Sequence, residues 1–311
     1  MNTALVFSSL ILSLLLIVIT GNFFKSKNII DDINKRSSHS TLATRSGGIA
    51  VFTSIFLISC VNYLFGNTLF DYSILVPLGL LVCIGLYDDI FNMDFKLKFI
   101  FQIIAAKIII DTGLLIDNFH GVLGIFELNR AFAQIFTIFV IISVINAINF
   151  IDGIDGLAIS IFSLFIVLVE FFALTSTQYY NFSKLILVTI LPLFYLNFRK
   201  ENKIFLGDSG SHLLGGIVSI YVIYILSDNY IIKPEYDLHK IVFTISVLLY
   251  PIVDIIRVTI IRLIKNESPF KADKRHLHHW ALRFTDSHLT IVILIIMIQL
   301  VLLITFQTLL N

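Results

Sequence analysis

Apolar stretches of about 16 to 24 residues recur along the whole chain, separated by short polar segments, and that repetition leaves few folds open. A helix of such length matches a hydrocarbon core about 30 Å thick once flanks and tilt are allowed. Inside lipid the backbone must satisfy its own hydrogen bonds, which favours helices. The stretches run from Leu5 to Thr20, Ile49 to Phe65, Ile74 to Tyr87, Phe99 to Ile116, Ala131 to Ile145, Leu157 to Leu174, Leu185 to Phe198, His212 to Leu226, Ile241 to Ile264 and Thr290 to Leu309. Of the 311 residues, 57% are hydrophobic and 14% charged, with a mean hydropathy of +0.93. No soluble domain could cover that much apolar surface. The expected fold class is all-α, a polytopic integral membrane protein of about ten or eleven transmembrane helices. It forms one membrane domain over 1–311, with no soluble domain beside it.

No basic residue precedes the first stretch, whereas Lys25, Lys27, Lys35, Arg36 and Arg45 follow it. It reads as a retained anchor rather than a cleaved signal, with the amino terminus outside. Alternate segments counted from there add Lys96, Lys98, Arg199, Lys200, Lys203, Arg262, Lys265, Lys271, Lys274, Arg275 and Arg283 to the inner set, sixteen basic residues in all. The outer set holds Arg130, Lys184, Lys233 and Lys240, so a positive-inside bias sets the orientation. Net charge, +1, points to no partner, and nothing suggests nucleic acid. Cys60 and Cys83 fall within apolar stretches and read as small hydrophobes.

The same count puts four Asp- and His-bearing motifs on the inner face, and charged groups are costly enough near hydrocarbon that such a convergence implies a site. After the third stretch, Asp88 and Asp89 stand side by side at a helix end, with Lys96 and Lys98 about ten residues on. Neighbouring carboxylates repel, so a nearby cation, Mg²⁺ by its hardness, would stabilise both; a solvated helix end is the alternative. Between the fifth and sixth stretches, Asn146, Asn149, Asp152 and Asp155 supply oxygen ligands and hydrogen bonds in ten residues, and each Asp is followed by Gly. An inter-helix turn alone rarely needs so many polar groups. Before the eighth stretch, Phe205-Leu206-Gly207-Asp208-Ser209-Gly210-Ser211 presents small residues at a helix start. Free N–H groups there could receive phosphate oxygens while Asp208 holds a metal, or Asp208 or Ser209 could serve as the N-cap. The last inner segment carries His276, His278 and His279 beside Lys271, Lys274 and Arg275. With carboxylates as the other ligands, Mg²⁺ or Mn²⁺ fits better than zinc, and phosphate binding is favoured over attraction to anionic lipid. The first inner segment, with Arg36, His39, Arg45, Gly47 and Gly48, reads as a contact for headgroups or nucleotide. Lys107 with Asp111, and Asp254 with Arg257, have the spacing of structural ion pairs, while Glu170 lies near an outer end.

Together the motifs resemble those of the polyprenyl-phosphate N-acetylhexosamine-1-phosphate transferases. The likeness spans most of the chain: Asp88-Asp89, KxKFxxQ from Lys96 to Gln102, NAxNxxDGxDGLA from Asn146 to Ala158, FxGDxGS from Phe205 to Ser211, and HLHH. The HxHH form is similar to the initiator branch, which acts on sugar nucleotides, rather than to the pentapeptide translocase with its three consecutive histidines. The resemblance implies a multi-pass enzyme of the bacterial inner membrane whose active-site segments face the cytoplasm. It would transfer HexNAc-1-phosphate from a UDP-N-acetylhexosamine to undecaprenyl phosphate, release UMP, and so initiate a surface polysaccharide. It further implies Mg²⁺, with Mn²⁺ as the alternative ion, bound by Asp208 and Asp89. Asp88, Asp89, Asp152 and Asp155 would serve catalysis. Lys98, Asn146, Asn149, His276, His278 and His279 would bind substrate, Phe205 would stack near uracil and Asn197 would contact uridine. The chain departs from the family pattern after His39, where Leu42 and Thr44 replace the usual prolines.

A phosphate monoester, with a second pKa of about 6, is already largely dianionic at neutral pH, so the lipid nucleophile hardly needs a general base. A one-step in-line transfer is therefore expected, with Asp88 or Asp89 orienting or deprotonating the lipid phosphate and Asp208 binding Mg²⁺; a two-step route through an aspartyl phosphate is the rival. Two other classes are a secondary transporter of a small anionic solute, which predicts polar groups reachable from both faces, and an inactive lipid-binding scaffold. Membrane lipid is an expected partner, a homodimer is compatible with the sequence, and the donor sugar is not specified by it.

Overall fold

A computed structural model describes residues 1–31, 43–236, 239–268 and 275–310. The basic residues Lys35, Arg36, His39, Lys271 and Lys274, and Leu42, lie outside the described residues. The described chain is mostly helical, and its strands β1 (Ala43–Thr44) and β2 (Lys203–Ile204) pair in parallel, Ala43 opposite Lys203 and Thr44 opposite Ile204. Each of the ten apolar stretches lies largely on helix. Among the described residues six helices are long and apolar enough to cross a membrane, or seven if one bent pair counts as a single span. This is fewer than the ten expected. The helix over Leu157–Phe172, for instance, has 16 residues, about 24 Å of rise, and is short for a hydrocarbon core about 30 Å thick. The protein is thus a helical, multi-pass membrane protein.

The chain divides into two compact units. The first comprises Met1–Thr112 and Thr177–Ile217. It contains α1 (Thr3–Ser26), α2 (Gly47–Leu64), α3 (Leu75–Phe91), α4 (Phe95–Asp111), α7 (Tyr180–Asn197) and the start of α8 (Gly207–Leu226). Small residues let these helices approach, as lipid-embedded packing requires. Ser13 of α1 donates to the Thr189 carbonyl of α7 at 2.5 Å. A Cβ on Gly48 of α2 would strike the Gly210 backbone of α8, and one on Gly85 of α3 would strike the peptide between Asp208 and Ser209. Capping sets the helix starts: Asn2 accepts from the Leu5 N–H at 2.9 Å, and Asp94 from that of Lys96. α3 ends where Asn92 turns left-handed, at φ 52°.

The second unit comprises Gly113–Ser176 and Val218–Asn311. It holds α5 (Arg130–Ile151), α6 (Leu157–Phe172), the rest of α8, α9 (Lys240–Val247), α10 (Leu249–Ile264), α11 (Leu277–Ala281) and α12 (His288–Leu310). The stretch Ile241 to Ile264, expected as one span, is instead broken between α9 and α10 by a bend of 76°. Pro251 explains the break, because it has no N–H to offer the carbonyl of Val247 four residues earlier. Gln299 of α12 supplies the missing donor at 2.5 Å, so the carbonyl is satisfied in the buried interior.

Candidate active site

In the first unit the acidic pair sits at the end of α3 and divides its labour. Asp88 accepts the Met93 N–H at 2.7 Å and the Lys98 ammonium at 2.5 Å, one carboxylate oxygen for each. Lys98, near the start of α4, also donates to Asp208 Oδ2 at 3.2 Å and so bridges two carboxylates that would otherwise repel. Burial alone would lower the Lys98 pKa, but Asp208 and Asp88 outweigh it and hold it above the ordinary lysine value. Asp89, whose side chain is wholly enclosed, points the other way. Its oxygens accept the backbone N–H groups of Asp208 at 2.8 Å and Ser209 at 3.0 Å.

That geometry bears on two expectations. The amides at the start of α8 were expected to be open to phosphate, yet two of them are capped by Asp89, and the cap comes from α3 rather than from Asp208 or Ser209 themselves. Asp89, expected to bind metal, accepts one of those amides at each oxygen, while the carboxylate that shares a cation with Asp208 is Asp88. Gly207, at φ +74°, makes the turn that presents the two N–H groups.

Arg45 supplies the second cation, 2.6 Å from Asp31 and 3.9 Å from Asp89. Burial lowers its pKa, but Asp31, Asp89 and Asp208 together raise it above the usual value. The β1–β2 ladder fixes its place, extended by Phe205 N–H to the Thr44 carbonyl at 2.8 Å and Gly47 N–H to the Phe205 carbonyl at 3.0 Å. Phe205 carries the Lys203 ammonium 5.1 Å from its ring centroid. Asn197, expected to contact uridine, is buried, and its amide donates to the Ile204 carbonyl of β2 at 3.0 Å. Gln102, one turn beyond Lys98, meets His212 across 3.1 Å, and His212 Nδ1 lies 2.7 Å from the Asp208 carbonyl. If Nδ1 donates to that carbonyl, Nε2 accepts from the Gln102 amide, so one neutral tautomer satisfies both bonds. His212 escaped sequence reading because it looks like the first residue of an apolar stretch.

Whether this unit suits a hard cation can be judged from its donors. Among the described residues no group of three or more His, Cys, Asp or Glu side chains forms a metal cage. Mg²⁺ seldom needs one, since it is held through one or two carboxylates plus substrate phosphates. Asp88 and Asp208 flank a common cation, and the buried hydroxyl of Ser209, next in sequence to Asp208, has no hydrogen-bond partner. This all-oxygen set fits Mg²⁺.

The second unit gathers the remaining motifs. Asn146 is buried on α5 and donates to the Ile142 carbonyl at 2.8 Å; Asn149 and Asp152 lie at the end of that helix. Asp155 meets His288, the first residue of α12, at 2.7 Å. That partner was missed by sequence reading, in which His288 lay in the segment just before the last apolar stretch. His276, His278 and His279 come together, with the rings of His278 and His279 centred 4.4 Å apart. His276 also lies against Phe150, whose ring carries the buried Arg262 at 5.7 Å. Burial, reinforced by His279 and opposed by Asp254, pushes the His278 imidazole well below the ordinary histidine value. Burial thus favours the neutral imidazole at His278. The Lys107–Asp111 pair forms as spaced, at the exposed end of α4.

Known proteins match this arrangement of motifs. Residues 72–226 match the family model described as Glycosyl transferase family 4. The chain is 32% identical over 273 residues to a "Probable undecaprenyl-phosphate N-acetylglucosaminyl 1-phosphate transferase" of Bacillus subtilis (strain 168), covering 86% of this chain and 74% of the relative. An "Undecaprenyl-phosphate alpha-N-acetylglucosaminyl 1-phosphate transferase" of Pasteurella multocida (strain Pm70) is 33% identical, over 82% of this chain and 71% of the relative. The protein of the same description from Escherichia coli (strain K12) is 29% identical, with 83% and 70% covered. By these similarities the chain belongs to the polyprenyl-phosphate N-acetylhexosamine-1-phosphate transferases of glycosyl transferase family 4.

Proposed function

We propose that this protein transfers HexNAc-1-phosphate from a UDP-N-acetylhexosamine to undecaprenyl phosphate, yielding undecaprenyl-pyrophosphoryl-HexNAc and UMP, and thereby begins a bacterial surface polysaccharide. An oxygen of the lipid phosphate forms a bond to the β-phosphorus of the donor, the anhydride bond to the α-phosphate breaks, and UMP departs. The observation that carries this reading is the Lys98 ammonium held between Asp88 and Asp208. It marks a pocket of negative charge whose resident cation can exchange for one that also binds phosphate. Asp88 and Asp208 would hold Mg²⁺, which would neutralise charge on the two phosphates that must meet. Lys98 and Arg45 stay cationic and add to that neutralisation, while Asp89 keeps the start of α8 in place. The nucleophile is already dianionic, so no side chain is assigned as its base, in keeping with a single displacement.

The inner membrane is the proposed location, with the amino terminus outside and the acidic motifs facing the cytoplasm, on the strength of the positive-inside bias. Purified protein incubated with UDP-GlcNAc or UDP-GalNAc, undecaprenyl phosphate and Mg²⁺ should release UMP and form a lipid pyrophosphate. Chelator should stop both, and Asp208→Asn should lower turnover by about 10² to 10³-fold. Undiminished turnover in chelator would remove the metal, and UMP release in a burst without lipid acceptor would replace the single displacement by a covalent enzyme intermediate.

A further inference from the structure

α10 carries three polar side chains at successive turns of one face: Tyr250, Asp254 and Arg257. The sequence suggests that Asp254 and Arg257 merely pair with each other. They do meet, at 3.3 Å, but both also grip the segment that leads into α11. Asp254, fully buried, accepts His276 Nδ1–H at 2.6 Å with one oxygen and the Leu277 backbone N–H at 2.8 Å with the other. Arg257 donates to the Arg275 carbonyl. One turn before Asp254, the Tyr250 hydroxyl meets His278 Nδ1 at 3.1 Å.

The two histidines are thus held by the same ring nitrogen from the same helix, and their rings lie nearly parallel, 14° apart with centroids at 5.5 Å. A carboxylate only accepts, so Asp254 keeps the His276 proton on Nδ1 and leaves Nε2 as the ring's other contact point. His278 Nε2 is buried and has no hydrogen-bond partner. It faces Gly153 so closely that a Cβ there would collide with it and press on His279 Nε2 as well. An orphaned, enclosed nitrogen beside a glycine of the DG motif is a contact waiting for a ligand atom.

We propose that Asp254 and Tyr250 are positioning residues: from α10 Asp254 fixes the tautomer of His276, and the two together fix the aim of the His276 and His278 rings, so that both present Nε2 to the UDP-sugar donor. The donor rests on the function proposed above, but the tautomer of His276 does not. Asp254→Asn preserves the size of the side chain, yet its amide can donate where the carboxylate only accepted. In protein labelled with ¹⁵N at the histidine rings, the resonance lost in His276→Gln assigns His276, whose proton should sit on Nδ1 in the wild type and move to Nε2 in Asp254→Asn. In the UMP-release assay the same variant should raise KM for the donor about tenfold or more, as loss of a charged hydrogen bond would, with kcat changed far less. Tyr250→Phe, which keeps the ring and removes only the hydroxyl, should raise KM in the same direction and serves if Asp254→Asn does not fold. An unmoved His276 proton in folded Asp254→Asn, or an unchanged KM in Tyr250→Phe, overturns the proposal. Absence of UMP release by the wild type with any UDP-N-acetylhexosamine would instead overturn the reaction and leave the tautomer result standing.

Discussion

Lys98 occupies the carboxylate oxygens that a divalent cation would seek, so the two must compete. Lys98→Ala should therefore lower the Mg²⁺ concentration needed for half-maximal activity, even as turnover falls about tenfold to a hundredfold for want of the charge that offsets the phosphates; a metal titration of the variant checks both. A higher metal requirement in Lys98→Ala would mean that Lys98 supports the ion rather than displaces it. His278 gives a prediction in pH. Its folded-state pKa is depressed by burial, so the unfolded chain takes up a proton before the folded one does. The stability that depends on a neutral His278 is complete above the ordinary histidine value and is lost as pH falls below about 6.5. Hydrogen exchange of α11 should accelerate over that range, and His278→Gln should flatten the dependence. Both arguments start from residues visible in the sequence, but neither the shared cation nor the burial could be read there.

Among the elements, the start of α8 concentrates the most constraints. Gly85 lets α3 lie against the Asp208–Ser209 peptide, and Asp89 two helical positions before the end of α3 caps the amides of that peptide. A methyl group at residue 85 would meet backbone, which cannot rotate aside. Gly85→Ala should therefore cost about 1 to 3 kcal/mol and lower thermal stability in detergent, with turnover lost as Asp208 is displaced; Gly66→Ala, where a Cβ meets no neighbour but φ is +72°, should leave turnover intact. The broken span follows the same logic of satisfied backbone groups. Pro251 announces a break to anyone reading for it, whereas the donor that makes the break tolerable, Gln299, comes from α12 and is far away in sequence.

For the whole molecule, membrane residence and the helical class follow from hydropathy, and the family follows from the ordered motifs. Orientation is a prediction at this scale. Reporter fusions at Ser26 and at Asn266 should both report the cytoplasm, with a tag at Thr68 reporting the outer side; the opposite pattern would invert the proposed topology. Composition and motif order determined without coordinates that the chain is a multi-pass transferase, because the cost of burying charge in lipid acts locally on every segment. Only the tertiary structure decided what each polar residue does. Asp88 and Asp89 are adjacent and chemically identical, yet one shares a lysine with Asp208 and the other caps a helix. Asp254 and Arg257 look like an isolated pair and instead hold the histidine segment. Hydrogen bonds are short-ranged and directional, so such roles depend on which distant residue lies within about 3 Å, and no periodicity or spacing in the chain encodes that.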